Sequence, residues 1–276
     1  MYLAFATDCI GFPLSFKESG KVLSDIGYDG FWFNIERDSE ISATETKELL
    51  EQYNMRPTGC NLPVDFRIDE ASFKKDLEQL KGYAKYAEEV GIDRTMTWIV
   101  PGSETLDYNE NFKLHHTRLA EIATVLEVHG IKFGLEFVGP LSKRLDRKFP
   151  FIHNLEGILS LVDAVGKDNV GLLLDVWHWD LAGQTRADFT RLCAEKIVLV
   201  HLNDAPKGLA PQDYIDNDRR LTGTTGVLRL GEFMDGLNSL GYDGPAVVEP
   251  FYQPLAEMPF PEAAKEVYET AMKVWK

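Results

Sequence analysis

The stretch Asn169 to Trp179, NVGLLLDVWHW, decides how the chain is read. Gly171 to Leu174 is a continuous apolar run, as expected of a strand covered on both faces. Asp175 and then His178 enter it with no turn residue between. A carboxylate and an imidazole at the end of a buried strand are costly to desolvate unless something pairs with them. A hydrogen-bonded Asp and a His packed among tryptophans meet that demand as structural residues. Three further strands that end the same way point instead to a shared site.

Working outward, a recurring joint gives the architecture. Ile26-Gly27-Tyr28-Asp29 precedes GFWFNI, and Val90-Gly91-Ile92-Asp93 precedes RTMTWIV. His129-Gly130-Ile131-Lys132 precedes FGLEFV, and Leu240-Gly241-Tyr242-Asp243 precedes GPAVVEPF. Each has a helical pattern, a Gly where a left-handed C-cap is wanted, one apolar residue, and then a strand. That is the helix-to-strand turn of a repeating βα unit. The candidate strands run Tyr2 to Thr7, Gly30 to Ile35, Arg56 to Leu62, Arg94 to Val100, Lys132 to Val138, Val170 to Val176, Ile197 to Leu202 and Ala246 to Pro250. Ser42-Ala43-Thr44-Glu45 reads as a capping box opening a helix. Leu77, Leu80, Ala84, Ala87 and Val90 form an apolar stripe on the next helix. Leu119, Ile122, Ala123 and Leu126 form another, as do Leu155, Ile158, Leu159, Val162 and Val165. Strand then helix, repeated with short joints, predicts one closed parallel (β/α)8 barrel over residues 1–276, an α/β fold. The open doubly wound sheet is the competing architecture, but TDCIGFPLSF follows the first strand where a GxGxxG would stand.

Composition agrees with that size of fold. The 276 residues are 44% hydrophobic and 26% charged, and the Pro and Gly residues gather into no linker. A net charge of -15 argues against nucleic acid, since a phosphate binder needs a basic stripe and only pairs such as Lys74-Lys75 and Arg219-Arg220 occur. Cys9, Cys60 and Cys193 have no CxxC spacing, so they suggest free thiols in a reducing compartment. MYLAFATDCIGF lacks a basic leader, and no stretch reaches the ~20 apolar residues of a membrane span. The expectation is a soluble cytoplasmic chain with no membrane partner. Oligomeric state stays open, a homo-oligomer included.

The strand ends carry the chemistry. Glu136 lies in GLEF, Asp175 in LLLDVWH, His201 in LVHLND and Glu249 in VVEP. In a parallel barrel, catalytic groups gather at the carboxyl ends of strands. Carboxylates converging there repel one another, and a divalent cation resolves the repulsion. An oxygen-rich set with one imidazole suits one Mn²⁺, Mg²⁺ or Co²⁺, with Zn²⁺ as a further option. The segment Asn203 to Val227 is about twice the usual connection length and reads as an ordered flap or binding loop.

GLEF, LLLDVWHW, VHLND and VVEP together resemble the xylose-isomerase-like barrels of sugar isomerases and epimerases, a family that includes inosose isomerases, ketose 3-epimerases, hydroxypyruvate isomerases and inosose dehydratases. The resemblance covers nearly the whole chain and is sharpest from Gly134 to Pro250. It implies that Glu136, Asp175, His201 and Glu249 hold one metal and that His178 touches a substrate oxygen. RRLTGTTG is similar to the family's Arg-x-Leu-Pro-Gly-Glu-Thr-Gly loop, which makes Arg219 the substrate-contacting arginine. Thr222 and Thr224 stand where Pro and Glu are usual. The implied substrate is a small sugar or cyclitol. Trp98, Asn61 and Asp8, near earlier strand ends, are candidates for lining its pocket, Trp98 by stacking. An unphosphorylated substrate is favoured because no phosphate-cradling Gly-rich run is present.

The expected reaction is proton transfer next to a carbonyl through a metal-stabilised enediolate, with Glu136 and Glu249 on opposite sides of the mouth as base and acid. One alternative is a lyase that expels a β-substituent from the same intermediate. Another is an abasic-site endonuclease, whose multi-metal site needs several additional histidines, and few of the six here lie at strand ends. A third is an inactive binding subunit. Other histidines carry no role: His115 and His116 read as solvated, His129 as a helix-end residue, and His153 as the neighbour of the N-cap Asn154. Trp177 and Trp179 read as packing, and the pairs Lys143-Arg144 and Arg147-Lys148 as a solvated loop.

Overall fold

The apolar runs form eight strands in the computed structural model, which describes residues 1–275. They are β1 (Tyr2–Phe5), β2 (Gly30–Phe33), β3 (Arg56–Asn61), β4 (Arg94–Ile99), β5 (Lys132–Phe137), β6 (Val170–Asp175), β7 (Ile197–Leu202) and β8 (Pro245–Val248). Each pairs in parallel with its sequence neighbour, and β8 pairs with β1 to close the barrel. Closure excludes the open doubly wound sheet. The longer helices of the outer ring are α1 (Phe16–Ile26), α2 (Ala43–Tyr53), α3 (Glu70–Val90), α4 (Tyr108–Val128), α5 (Leu155–Val165), α6 (Val176–Leu181), α7 (Leu230–Leu240) and α8 (Phe260–Val274). Among the described residues, no helix is long and apolar enough to cross a membrane.

The glycine joints do what their position requires. Gly27, Gly91 and Gly241 cap α1, α3 and α7 in the left-handed region, where a Cβ is strained. Side chains from Ser42, Asp69, Asp107 and Asn154 accept first-turn N–H groups of α2 to α5, each worth about 1 kcal/mol. The capping box expected at Ser42 is only half made, because the Glu45 carboxylate reaches across to Lys17. His115 is also unlike its expectation. It is buried on the same stripe of α4 as Asn111 and Arg118, beneath Phe66 and Phe151 from neighbouring loops. Burial pushes its pKa down to about 4, so it is a neutral packing residue.

Alternation along the strands separates two cores. Strand residues facing outward join the helices in the larger one, while Ala4, Leu173, Leu199 and Val247 fill the smaller one inside the barrel. Two residues on from those interior positions come Asp175, His201 and Glu249. Register carries the same face sideways, since Asp175 lies opposite His201 and Glu136 opposite Trp98. The chain geometry therefore sends these side chains to the carboxyl-end mouth.

The flap from Asn203 onward is ordered by a buried carboxylate. Asp204 accepts N–H bonds from Ala205, Thr225, Gly226 and Leu228, and its backbone pairs with Arg220 in an antiparallel bridge. Burial alone would raise its pKa, but hydrogen bonds from Thr225, Gly226 and Ala205 hold it below the ordinary value. Stability from such a group is present above the unfolded-state pKa and is lost as pH falls toward the folded one. Asp204→Asn is expected to cost about 1–3 kcal/mol near neutrality. In melting experiments the gap from wild type should shrink as pH drops from about 6 toward 3, and a constant gap would assign the loss to packing.

Candidate metal centre and active site

Asp175 ends β6 and caps α6, its Oδ1 accepting the Trp177 N–H at 2.8 Å and the Asn203 Nδ2–H at 2.9 Å. Direct continuation of strand into helix puts His178 one turn farther on, facing the same mouth. Gly139 packs against that turn so closely that a Cβ there would lie 2.2 Å from the His178 carbonyl oxygen. The Gly139 N–H donates to His178 Nδ1 at 3.3 Å, which leaves the imidazole proton on Nε2. Burial lowers the His178 pKa against the pull of Asp175 and Asp216, so the ring is a neutral donor.

The four strand-end residues meet. Ligand atoms of Asp175, His201 and Glu249 lie within 4.8 Å of one another, and those of Glu136, Asp175 and His178 do likewise. His201 Nδ1 stands 3.2 Å from Glu249 Oε2 and 3.8 Å from Glu136 Oε1. Glu136, from β5, and Glu249, after β8, thus both approach one imidazole. Glu136 Oε1 and His201 Nδ1 are both buried without a hydrogen-bond partner, a cost of about 1–3 kcal/mol each if nothing bridges them.

Arg219, from the flap, is the cation present. Its Nη1 donates to Asp175 Oδ2 at 2.7 Å and to Glu249 Oε2 at 2.8 Å. The Trp177 and Phe251 rings lie 5.2 and 5.0 Å from the guanidinium, which is fully buried between them. One guanidinium faces the carboxyl groups of Glu136, Asp175, Asp216 and Glu249. Two carboxylates about 5 Å apart repel by roughly 3 kcal/mol at an effective dielectric of 20, more than one hydrogen bond returns. The titration behaviour reflects this. Burial, then Asp175 and Glu249, push the Glu136 pKa well above its ordinary value. Burial would also raise Glu249, but His201 and Arg219 bring it down to about 2. The donor set, its unbridged atoms and its surplus of negative charge fit a divalent cation.

The remaining sequence candidates divide. Trp98 is half exposed on the face of β4 that neighbours Glu136, with the Arg67 guanidinium 5.0 Å from its ring. Asn61 is committed to its neighbours, accepting the Ile35 N–H and donating to Glu36. Asp8 is paired with Arg37 at 2.7 Å. A pocket of about 230 Å³ opens beside Asp8, which lines it with Cys9, Asn217 and Phe251 among others. Sequence reasoning missed Asp216, whose Oδ1 accepts from Arg219 Nη2 at 3.0 Å. It also gave no role to Asn203, which braces Asp175, or to Cys9, whose thiol lies 3.9 Å from Glu249 Oε1. The Asn203 position was within reach, two residues past His201 in VHLND.

The inosose isomerase of Halalkalibacterium halodurans is 25% identical over 231 residues, which cover 83% of this chain and 79% of that protein. The L-ribulose 3-epimerase of a Methylomonas species is 25% identical over 235 residues, 82% and 74% of the two chains. The structure of a xylose isomerase domain protein from Alicyclobacillus acidocaldarius superposes with a TM-score of 0.85 at 26% identity, over 99% of this chain and 97% of the other. A family described as xylose isomerase-like TIM barrel matches residues 21–276, and the chain belongs to that family.

Proposed function

We propose that this chain, one barrel domain over residues 1–276, is a divalent-metal-dependent isomerase or epimerase of a small ketose or inosose. The observation that carries the reading is the convergence of Glu136, Asp175, His201 and Glu249, with Glu136 Oε1 and His201 Nδ1 buried and unpartnered. Relatives named inosose isomerase and L-ribulose 3-epimerase support the substrate class. Manganese suits the oxygen-rich donors best, with magnesium, cobalt or zinc as substitutes. Of the six histidines, His178 and His201 reach the site, too few for the several-histidine centre of an abasic-site endonuclease. The free cysteines support a reducing, cytoplasmic setting.

Glu136, Asp175, His201 and Glu249 would hold the cation, which would supply Lewis-acid polarisation of the substrate carbonyl and offset the surplus of carboxylates. His178 Nε2–H and Arg219 donate to substrate oxygens and to the enediolate charge as it develops. Glu136 and Glu249 move the proton, one taking it from the carbon beside the carbonyl and the other returning one. Return to the same carbon gives an epimer, whereas one carboxylate shuttling between adjacent carbons gives an isomer. Loss of a β-substituent from the same enediolate is the lyase outcome.

Glu249→Gln is expected to retain its metal by elemental analysis while turnover falls by about 100-fold or more. Near-normal turnover would overturn the two-carboxylate scheme. The wild-type protein in heavy water should place deuterium beside the carbonyl of a ketose or an inosose, read by mass spectrometry. Absence of exchange across both substrate classes would contradict enolisation, and a dehydrated product would select the lyase.

A further inference from the structure

Arg219 uses four of its five N–H groups on protein acceptors. Nη1 spends both on Asp175 and Glu249, while Nε donates to the Asp216 carbonyl oxygen at 2.8 Å and Nη2 to Asp216 Oδ1 at 3.0 Å. One residue of the flap thus takes the whole outer edge of the guanidinium, through its backbone and its side chain together. The same Oδ1 lies 3.8 Å from His178 Nε2, as does Glu136 Oε2. His178 therefore stands between a barrel carboxylate and a flap carboxylate. Asp216 Oδ2 is 3.7 Å from Lys143, on the loop after β5. That loop is tied to the flap a second time, because the Ser142 hydroxyl donates to the Tyr214 carbonyl oxygen at 2.5 Å.

We propose that Asp216 is a positioning residue that aims Arg219 and His178 at the substrate. The inference rests on the function proposed above. A guanidinium gripped along its Nε/Nη2 edge cannot rotate about its stem, so the remaining Nη2 N–H keeps one direction. That N–H and His178 Nε2–H are the two donors directed at the reacting oxygens. Asp216 ties both to the seating of the flap, and the Lys143 and Ser142 contacts tie the flap to the loop after β5. Nearby Asp213 and Asp218 do not share this place, since neither meets Arg219 or His178 among the described contacts.

Asp216→Asn preserves shape and the backbone acceptor but weakens the charged bond. Its kcat is expected to fall by about tenfold or more, with KM changed less than about threefold, because the misaimed donors matter most as charge develops. Melting temperature and metal content should match wild type. In an Arg219→Ala background the same change should add less than about twofold, since a residue acting through Arg219 loses its effect once Arg219 is gone. An additive loss, or a kcat equal to wild type, would overturn the proposal while leaving the enzyme reading intact. A crystal structure of Asp216→Asn gives a test independent of turnover. The Arg219 Nη2 edge should turn away from residue 216 while Nη1 stays on Asp175 and Glu249, and an unmoved guanidinium would refute the assignment even if no sugar proves to be a substrate.

Discussion

Carboxyl groups crowded into the dry mouth of a barrel are the constraint on which this structure depends. Glu136, Asp175 and Glu249 arrive there because strand alternation and parallel register leave them nowhere else to point. Their mutual repulsion exceeds what neutral hydrogen bonds return, so positive charge must be supplied. Arg219 supplies one unit from the flap, at 2.7 and 2.8 Å from two of them. Glu136 is left outside that pairing, with its pKa raised and one oxygen unpartnered. The site is thus an electrostatic demand as much as a shape, and a divalent ion is the proposed answer to it.

The rest of the fold makes that arrangement rigid. Gly139 permits the turn after β6 to close on its neighbour, and its N–H fixes which nitrogen of His178 carries the proton. Asp204 gathers four backbone N–H groups and so holds the long connection that delivers Arg219. Trp177 and Phe251 cover the guanidinium and keep bulk water from screening it. Packing of Trp179 against Phe189 and Phe233 anchors the short α6 beneath the site.

Much of this was legible in the sequence. The C-cap glycines and apolar runs located all eight strands to within a residue or two, because both signals are local. Glu136, Asp175, His201 and Glu249 stood out as polar residues closing apolar runs, and the structure brings them together. Asp216 was invisible, because only the path of the flap distinguishes it from Asp213 and Asp218. His115, read as solvated, misled for the opposite reason. Its place in the helix resembles a solvated face, and the aromatic lids that bury it come from other segments. Asn61 ends β3 and Asp8 follows β1, but nothing local announced that Glu36 and Arg37 would engage them.

The central claim is that surplus negative charge at the mouth is matched by one divalent ion. Calorimetric titration of the chelator-treated protein with Mn²⁺, repeated in buffers of different ionisation enthalpy, tests it directly. The account predicts saturation at one ion per chain with proton release, since Glu136 must ionise to bind, and an affinity that rises with pH. No saturable binding, or binding without proton release at any pH, would contradict it.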